Sequence, residues 1–175
     1  MSTLETERLI LRQFNAGDFD PYAQLCADAE VMRFLGGRPL TRSESWRQMA
    51  TMLGHWQLLG YGMWAVEERE SGAFIGRVGF IDPPGWPGFE LGWALVRAYW
   101  GRGLAFEAAQ TALDHAFQRL GRDHVISLIH PENTRSRRLA ERLGERFEKT
   151  VELLGDKVGV FGIDRAEWRA TGVLQ

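Results

Sequence analysis

A change of period around Gly101-Arg102-Gly103 constrains this chain more than any other feature. Upstream, three short apolar runs (63–68, 74–81 and 89–96) are separated by Glu70-Ser71-Gly72 and by the Pro/Gly-rich segment 82–88. Runs of that length bounded by turn residues predict antiparallel hairpins. Downstream, apolar residues at 105, 108, 109, 112, 113, 116, 117 and 120 repeat at helical spacing and give 104–120 one broad apolar face. A compact strand at 125–129 and a helix at 133–143 follow, the helix bounded by Asn133 as N-cap and Gly144 as stop. Two closing strands, 147–154 and 158–163, flank a predicted turn at Gly155-Asp156-Lys157. Ahead of the hairpins lie a β-like run at 8–14 and a helix at 18–29 with Asp18 as N-cap. A second helix, capped by Thr41 or Ser43, runs to residue 59 and stops at Gly60-Tyr61-Gly62. The order predicts a mixed α/β domain: one central, mostly antiparallel sheet, flanking helices, and one parallel pair from the strand–helix–strand unit.

With 175 residues, no repeat and no internal linker, one domain over 1–175 is expected, large enough to bury a core without staples. Lys and Arg number 21 against 23 Asp and Glu, so no electrostatic footprint points to nucleic acid or an anionic membrane. No apolar run approaches the roughly 18 residues of a span. The opening Met1-Ser2-Thr3-Leu4-Glu5 lacks the regions of a signal peptide, so a soluble cytoplasmic protein is expected. The single cysteine, Cys26, fits a reducing compartment, and its helix, without a histidine nearby in sequence, points to a packed thiol. His55, His115, His124 and His130 show no metal spacing, so no metal is expected.

The densest chemical signal is the strand end, glycine pair and helix start across 95–105. Amides at a helix start are unpaired and the helix dipole favours an anion there, while glycine lets a phosphate approach the backbone. A phosphate or pyrophosphate site therefore fits, and so does a simple turn made by two glycines. A Rossmann fingerprint would need glycine where Phe106 stands, and the Gly-Lys-Ser/Thr of a P-loop is absent.

Gly101-Arg102-Gly103-Leu104-Ala105, after Glu90-Leu91-Gly92-Trp93-Ala94-Leu95, resembles the acyl-CoA pyrophosphate loop of the GNAT superfamily of N-acyltransferases. Trp100 stands at the position usually held by Arg or Gln. Thr6-Glu7-Arg8-Leu9-Ile10-Leu11-Arg12 is similar to the opening strand of the branch that acetylates ribosomal-protein N-termini. Pro131-Glu132-Asn133-Thr134-Arg135-Ser136, with Leu143-Gly144, is similar to that branch's second motif. The resemblance implies the GNAT fold, with the parallel pair splayed apart and acetyl-CoA as co-substrate. Pantetheine would pair with backbone near Leu95 and Val96, and the loop amides of Arg102, Gly103, Leu104 and Ala105 would hold the pyrophosphate. It also places Asn133 against the pantetheine and Ser136 beside the sulfur. The tyrosine that many relatives use as the acid is absent, since Ala140 and Phe161 stand at the matching positions, and Ser136 is the substitute donor to the leaving thiolate.

The implied reaction needs a base for the amine and a donor for the oxyanion. A backbone N–H on the strand 93–96 suits the oxyanion. Glu90 is the base candidate: strand alternation sets it on one face with Gly92 and Ala94, and Leu91, Trp93 and Leu95 on the other. Pairing of Glu90 with an arginine, or deprotonation through a water chain, are the competing accounts. Arg135, Arg137, Arg138 and Arg142 lie within reach of the coenzyme's 3′-phosphate or form a solvated helix face. Trp86 in the Pro/Gly loop overhangs the acceptor mouth if exposed. The expected activity is direct N-acetylation of a primary amine, with a protein or peptide N-terminus first and a small amine as the alternative. A non-catalytic acyl-CoA-binding module is the contrasting class, and the assembly expected is a monomer or homodimer.

Overall fold

The computed structural model describes residues 3–170. Two short strands, β1 (Leu4–Glu5) and β2 (Leu9–Arg12), open the chain. The helices α1 (Phe19–Ala27), α2 (Ala29–Met32) and α3 (Arg42–Leu59) follow. Then come β3 (Met63–Glu68), β4 (Phe74–Ile81) and β5 (Glu90–Leu95). Helix α4 (Leu104–Gln118), β6 (His124–Ile129) and α5 (Thr134–Leu143) continue the chain. The hairpin β7 (Arg146–Leu153) and β8 (Asp156–Asp164) and the helix α6 (Arg165–Ala170) close it. One sheet carries all eight strands in the order β1-β2-β3-β4-β5-β6-β8-β7, antiparallel throughout except for β5 and β6. The mixed sheet with one parallel pair is thus present.

Several local expectations need correction. The β-like run 8–14 is a strand only to Arg12, because Asn15 and Asp18 form a capping box around a 3-10 turn, Ala16–Asp18. Asp18 therefore does not cap α1 with its side chain. It is buried and takes a two-pronged bond from Arg12, with both contacts at 2.8 Å. The helix predicted over 18–29 is broken at Asp28, which turns extended and caps α2 by accepting from the Glu30 N–H. Of the two candidate caps for α3, Thr41 is the one used, in a reciprocal box with Glu44, and Gly60 ends the helix at φ +73°. The turn of the last hairpin is Leu154-Gly155, with φ of 52° and 91°, so Asp156 and Lys157 pair in the ladder instead. A two-residue loop with both residues at positive φ matches the strand twist, which a three-residue reading of the sequence misses.

The sheet separates two apolar layers. On one side Leu104, Ala108, Ala112, Leu113 and Ala116 of α4 are buried against Leu9, Leu11, Val66, Val78 and Leu91. Small alanines at these positions let the helix lie close to the strands. On the other side Tyr22, Leu25 and Cys26 of α1 pack with Met49 and Met52 of α3 over Met63, Ala65 and Ala94. Cys26 is a buried thiol, and burial pushes it up from its ordinary value, which suits a packed group better than a nucleophile.

The parallel pair holds register only at Glu90 opposite Ile126, where the Ile126 N–H donates to the Phe89 carbonyl at 3.0 Å. Beyond that point the strands part. The Leu91 carbonyl, which a continued ladder would have used, accepts from the Ser127 hydroxyl at 2.9 Å. The splay places a cleft between the two layers, open toward the ends of β5 and β6.

Candidate active site

A cavity of about 310 Å3 fills the mouth of this cleft. Leu95, Gly101, Gly103, Leu104 and Ala105 from the β5–α4 connection line it, with Asn133 and Ser136 from the start of α5 opposite. Leu95 and Ser136, 41 positions apart in the chain, thus meet at one site. Helix α4 starts at Gly103 with φ +77° and no side-chain cap, so the amides of its first turn open toward the cavity. Helical geometry gives those N–H groups no partner of their own. A Cβ at Gly101 would meet nothing within 4 Å, and the residue sits at φ +74°. Backbone conformation, not crowding, calls for glycine there.

The loop is braced from the first strands. Arg8 bonds Glu107 on α4 through Nε at 2.7 Å and donates from Nη1 to the Arg102 carbonyl at 3.0 Å. Thr6 donates to the same glutamate at 2.6 Å. The Arg102 side chain itself leaves the cavity, pairing with Glu68 and lying over Tyr99. Arg135 stacks over Trp100 at 3.8 Å and Arg142 over Phe106 at 4.3 Å, both on the cavity wall with Arg138. Arg137 turns away, to the Pro131 carbonyl.

Phe89 and Leu91 present their carbonyls to β6, so the two-residue alternation turns the backbone groups of Trp93 and Leu95 into the gap as well. The Leu95 carbonyl accepts from the Trp100 indole at 2.8 Å. Val96 faces the other way. Its N–H donates to Ile75 and its carbonyl accepts from Tyr99, and it does not line the cavity. The Asn133 side chain accepts from the Ser136 N–H, capping α5. Ser136 Oγ accepts from the Trp93 indole at 3.2 Å. Indole can only donate, so the hydroxyl hydrogen of Ser136 is left for another acceptor. Ala140 and Phe161 form a small apolar cluster with Ile129, against which Trp93 packs.

Glu90 stands at the apex of the splay on the opposite layer, with Gly92 and Ala94 on its face as strand alternation requires. Its Oε2 accepts from the Trp86 indole at 2.6 Å. Burial pushes the carboxyl up to about 7, and the Trp86 bond, the charge of Arg77 and the Leu128 N–H keep it from going higher. His55 holds the 82–88 loop that carries Trp86. It accepts from the Asp82 N–H at 3.3 Å on Nε2 and bonds the Tyr61 carbonyl at 2.9 Å on Nδ1. His130 stacks on Phe34 with centroids 5.1 Å apart. Among the described residues no group of three His, Cys, Asp or Glu is close enough to hold a metal ion, and no helix is long and apolar enough to cross a membrane.

Sequence reading missed two parts of this site. The Trp86–Glu90 bond joins a loop to a strand start four residues on, a spacing with meaning only once the loop's shape is known. The second is Glu145, 2% exposed behind the apex, bonded to Ser127 at 3.0 Å with its other oxygen unpartnered. Burial pushes it up to about 8. One serine hydrogen cannot serve both Leu91 and Glu145, so a neutral Glu145 donating to Ser127 satisfies the pair.

An uncapped helix start behind a splayed parallel pair is the frame that the resemblance implies, and relatives with the same frame decide the family. Residues 8–146 match the acetyltransferase (GNAT) domain family. The chain belongs to that family. The uncharacterised N-acetyltransferase p20 of Bacillus licheniformis is 34% identical over 85% of this chain and 84% of its own. An acetyltransferase from Agrobacterium tumefaciens str. C58 superposes with a TM-score of 0.85 at 32% identity, covering 93% of this chain and 94% of its own. RimL, a ribosomal L7/L12 α-N-protein acetyltransferase solved with coenzyme A, shares the fold with a TM-score of 0.78 at 18% identity, over 93% and 98% of the two chains. As a GNAT protein this chain is an acetyl-CoA-dependent acetyltransferase. Its free helix-start amides, cationic wall and apolar cleft fit a pyrophosphate joined to a pantetheine arm.

Proposed function

We propose that this GNAT domain acetylates the terminal amine of a protein or peptide, which enters on the layer of Glu90 while acetyl-CoA occupies the cleft on the other. The observation that carries the proposal is Glu90, a carboxyl that burial pushes up to about 7 at the register position β5 shares with β6, just before the two strands part. The amides of Arg102, Gly103, Leu104 and Ala105 bind the pyrophosphate. Asn133 and the gap-facing backbone of Trp93 and Leu95 line the pantetheine.

The amine lone pair attacks the thioester carbonyl, forming the C–N bond, and the proton leaving nitrogen passes to Glu90 directly or through one water. A gap-facing N–H of Trp93 or Leu95 bonds the oxyanion. Collapse breaks the C–S bond; the thiolate takes the Ser136 hydroxyl proton as a water proton replaces it, and Glu90 returns the amine proton to that water, so one proton moves from nitrogen to sulfur. The products are the amide and free coenzyme A. The peptide class is carried over from RimL, whose name specifies an α-N-protein acceptor, together with the branch motif at 131–136.

Titration with acetyl-CoA, followed by thiol release against peptides, polyamines and aminoglycosides, tests the reading. Binding with release on peptides alone is the expected result. Release only on small amines would move the acceptor class, and binding without release on any acceptor would favour an acyl-CoA-binding module.

A further inference from the structure

Arg77 occupies the middle of β4, opposite Ala65 on one side and Ala94 on the other, so its side chain lies on the layer of Glu90. Small neighbours leave room for it, but nothing neutralises it. No carboxylate of the described residues lies within ion-pair distance; its Nε is buried without a hydrogen-bond partner. Its Nη1 reaches the Met63 sulfur, at 3.7 Å, and its other neighbours are the Cys26 thiol and the hydroxyl of Tyr22, which is already bonded to Gln48. Sulfur is a weak acceptor. A guanidinium kept this far inside without a counter-charge is costly, and the cost is relieved when an anion arrives.

The position of this cation relative to Glu90 follows from register. Arg77 pairs with Ala94 and Ile81 with Glu90, so the two charged groups stand four residues apart along one face, about 13 Å between strand positions at about 3.3 Å per residue. The row between them is Met63–Gly79–Gly92. Two of its three members lack a side chain. The third, Met63, lays its flexible thioether along the row, with Cε 3.0 Å from where a Gly92 Cβ would stand and sulfur against Arg77. A segment joining carboxylate and guanidinium therefore runs over or displaces that one side chain.

We infer that Arg77 selects the acceptor, pairing with a carboxylate on a peptide whose amine lies at Glu90, so that the preferred substrate is an acidic N-terminal segment. In an extended peptide the second to fourth residues cover this span. A planar fork of donors suits a carboxylate side chain, and it repels the cationic polyamines and aminoglycosides. The inference rests on the peptide reading above and names the substrate class within it.

Three peptides with a common first residue and neutral, acidic or basic residues at positions two to four separate the outcomes. Thiol release gives kcat/KM for each with the native protein, Arg77→Gln and Arg77→Lys. The native protein should prefer the acidic peptide over the neutral one by about tenfold or more. Arg77→Gln should bring that ratio close to one, and Arg77→Lys should keep part of it. Ratios are the readout because losing the Arg77 charge also alters Glu90 and shifts all rates together. A native ratio near one, a preference for the basic peptide, or an acidic preference intact in Arg77→Gln would each overturn the inference. Should no peptide turn over, the peptide reading fails, yet titration of the same peptides onto protein saturated with coenzyme A still decides Arg77. Tighter acidic binding that Arg77→Gln abolishes supports the inference, and equal binding overturns it. If Arg77→Gln does not fold, the native ratio and the Lys variant carry the same decision.

Discussion

The two sides of the β5–β6 splay are built from different parts. On the cavity side, a helix start at Gly103, gap-facing strand amides and two glycines at positive φ present backbone. On the Glu90 side, single side chains do the work: a carboxylate, an indole bonded to it, and an unpaired guanidinium. Backbone donors are removed by mutation only where proline is introduced, and are displaced where a glycine at positive φ is replaced, so the cavity side tolerates other drift in its side chains. The Glu90 side can be rewritten one residue at a time. A fold that keeps one co-substrate and varies the acceptor is built in this way.

If the division holds, changes on one side leave the other's ligand alone. Glu90→Gln is the severest test, with an expected loss in kcat of about 10²-fold or more and acetyl-CoA affinity unchanged. The pH profile sharpens it. A base at about 7 is ionised only above that value, so native activity should rise from pH 6 to 8 with its midpoint near 7, and the Gln variant should lack that limb. A parallel loss of acetyl-CoA affinity, or a limb that persists, would break the assignment.

The converse change is Gly103→Asp. The new Cβ meets only Arg8 Nη2, at 3.6 Å, so space is available, but the residue stands at φ +77°, where a side chain strains the backbone. Its carboxylate lands at the open helix start and occupies the anion site. Acetyl-CoA affinity should drop by about tenfold to 10²-fold, the scale of a lost charge-assisted set of bonds, while stability falls by only about 1 kcal/mol, the cost of a left-handed aspartate. Calorimetric titration and a thermal scan check both halves.

The asymmetry also explains what could be read from the chain. Backbone recognition leaves glycines and a period change in the sequence, so 101–105, the α4 stripe and the parallel pair were all legible before any coordinates. Positions 133 and 136 were legible only through a resemblance, since an N-cap asparagine and a helix serine are ordinary alone. Glu90 was legible by strand alternation and Trp86 as a loop residue beside the acceptor, but Arg77 and the Trp86–Glu90 bond were not. Their meaning comes from the β4–β5 register and from the path of the 82–88 loop, which no local pattern encodes. Val96 shows the limit from the other direction: adjacent to Leu95 in sequence, it faces β4 and donates to Ile75.

Behind the apex, Glu145 offers a test of smaller size that involves neither ligand. Its carboxyl is pushed up to about 8 by burial, so the folded state holds the proton more tightly than the unfolded chain. That contribution is complete below the ordinary carboxyl range near 4.5 and is lost as pH rises toward 8. Each unit within this window removes up to about 1.4 kcal/mol, or roughly 3–6 °C of melting temperature for a chain of this length. Glu145→Gln keeps a neutral donor to Ser127 and should flatten that slope, so the variant gains on the native protein as pH rises from about 4.5 to about 8. Identical slopes would mean that Glu145 stays ionised in the fold.

Ser136→Ala probes the cavity side where a side chain, not backbone, is assigned a task. The Trp93 indole would lose its acceptor, a neutral hydrogen bond worth about 1 kcal/mol, and the departing thiolate its nearest donor. Water can enter the space the hydroxyl leaves, so the expected fall in kcat is only about three- to tenfold. Acetyl-CoA affinity should stay within about twofold of native, since one neutral bond is at stake and it is internal to the protein. A solvent isotope effect on kcat separates the two ways Ser136 can matter. If it delivers the proton, the native effect should exceed that of the Ala variant, in which bulk water takes over. If it only seats Trp93, the effect should be the same in both, and Ser136→Thr should restore the rate by restoring the acceptor.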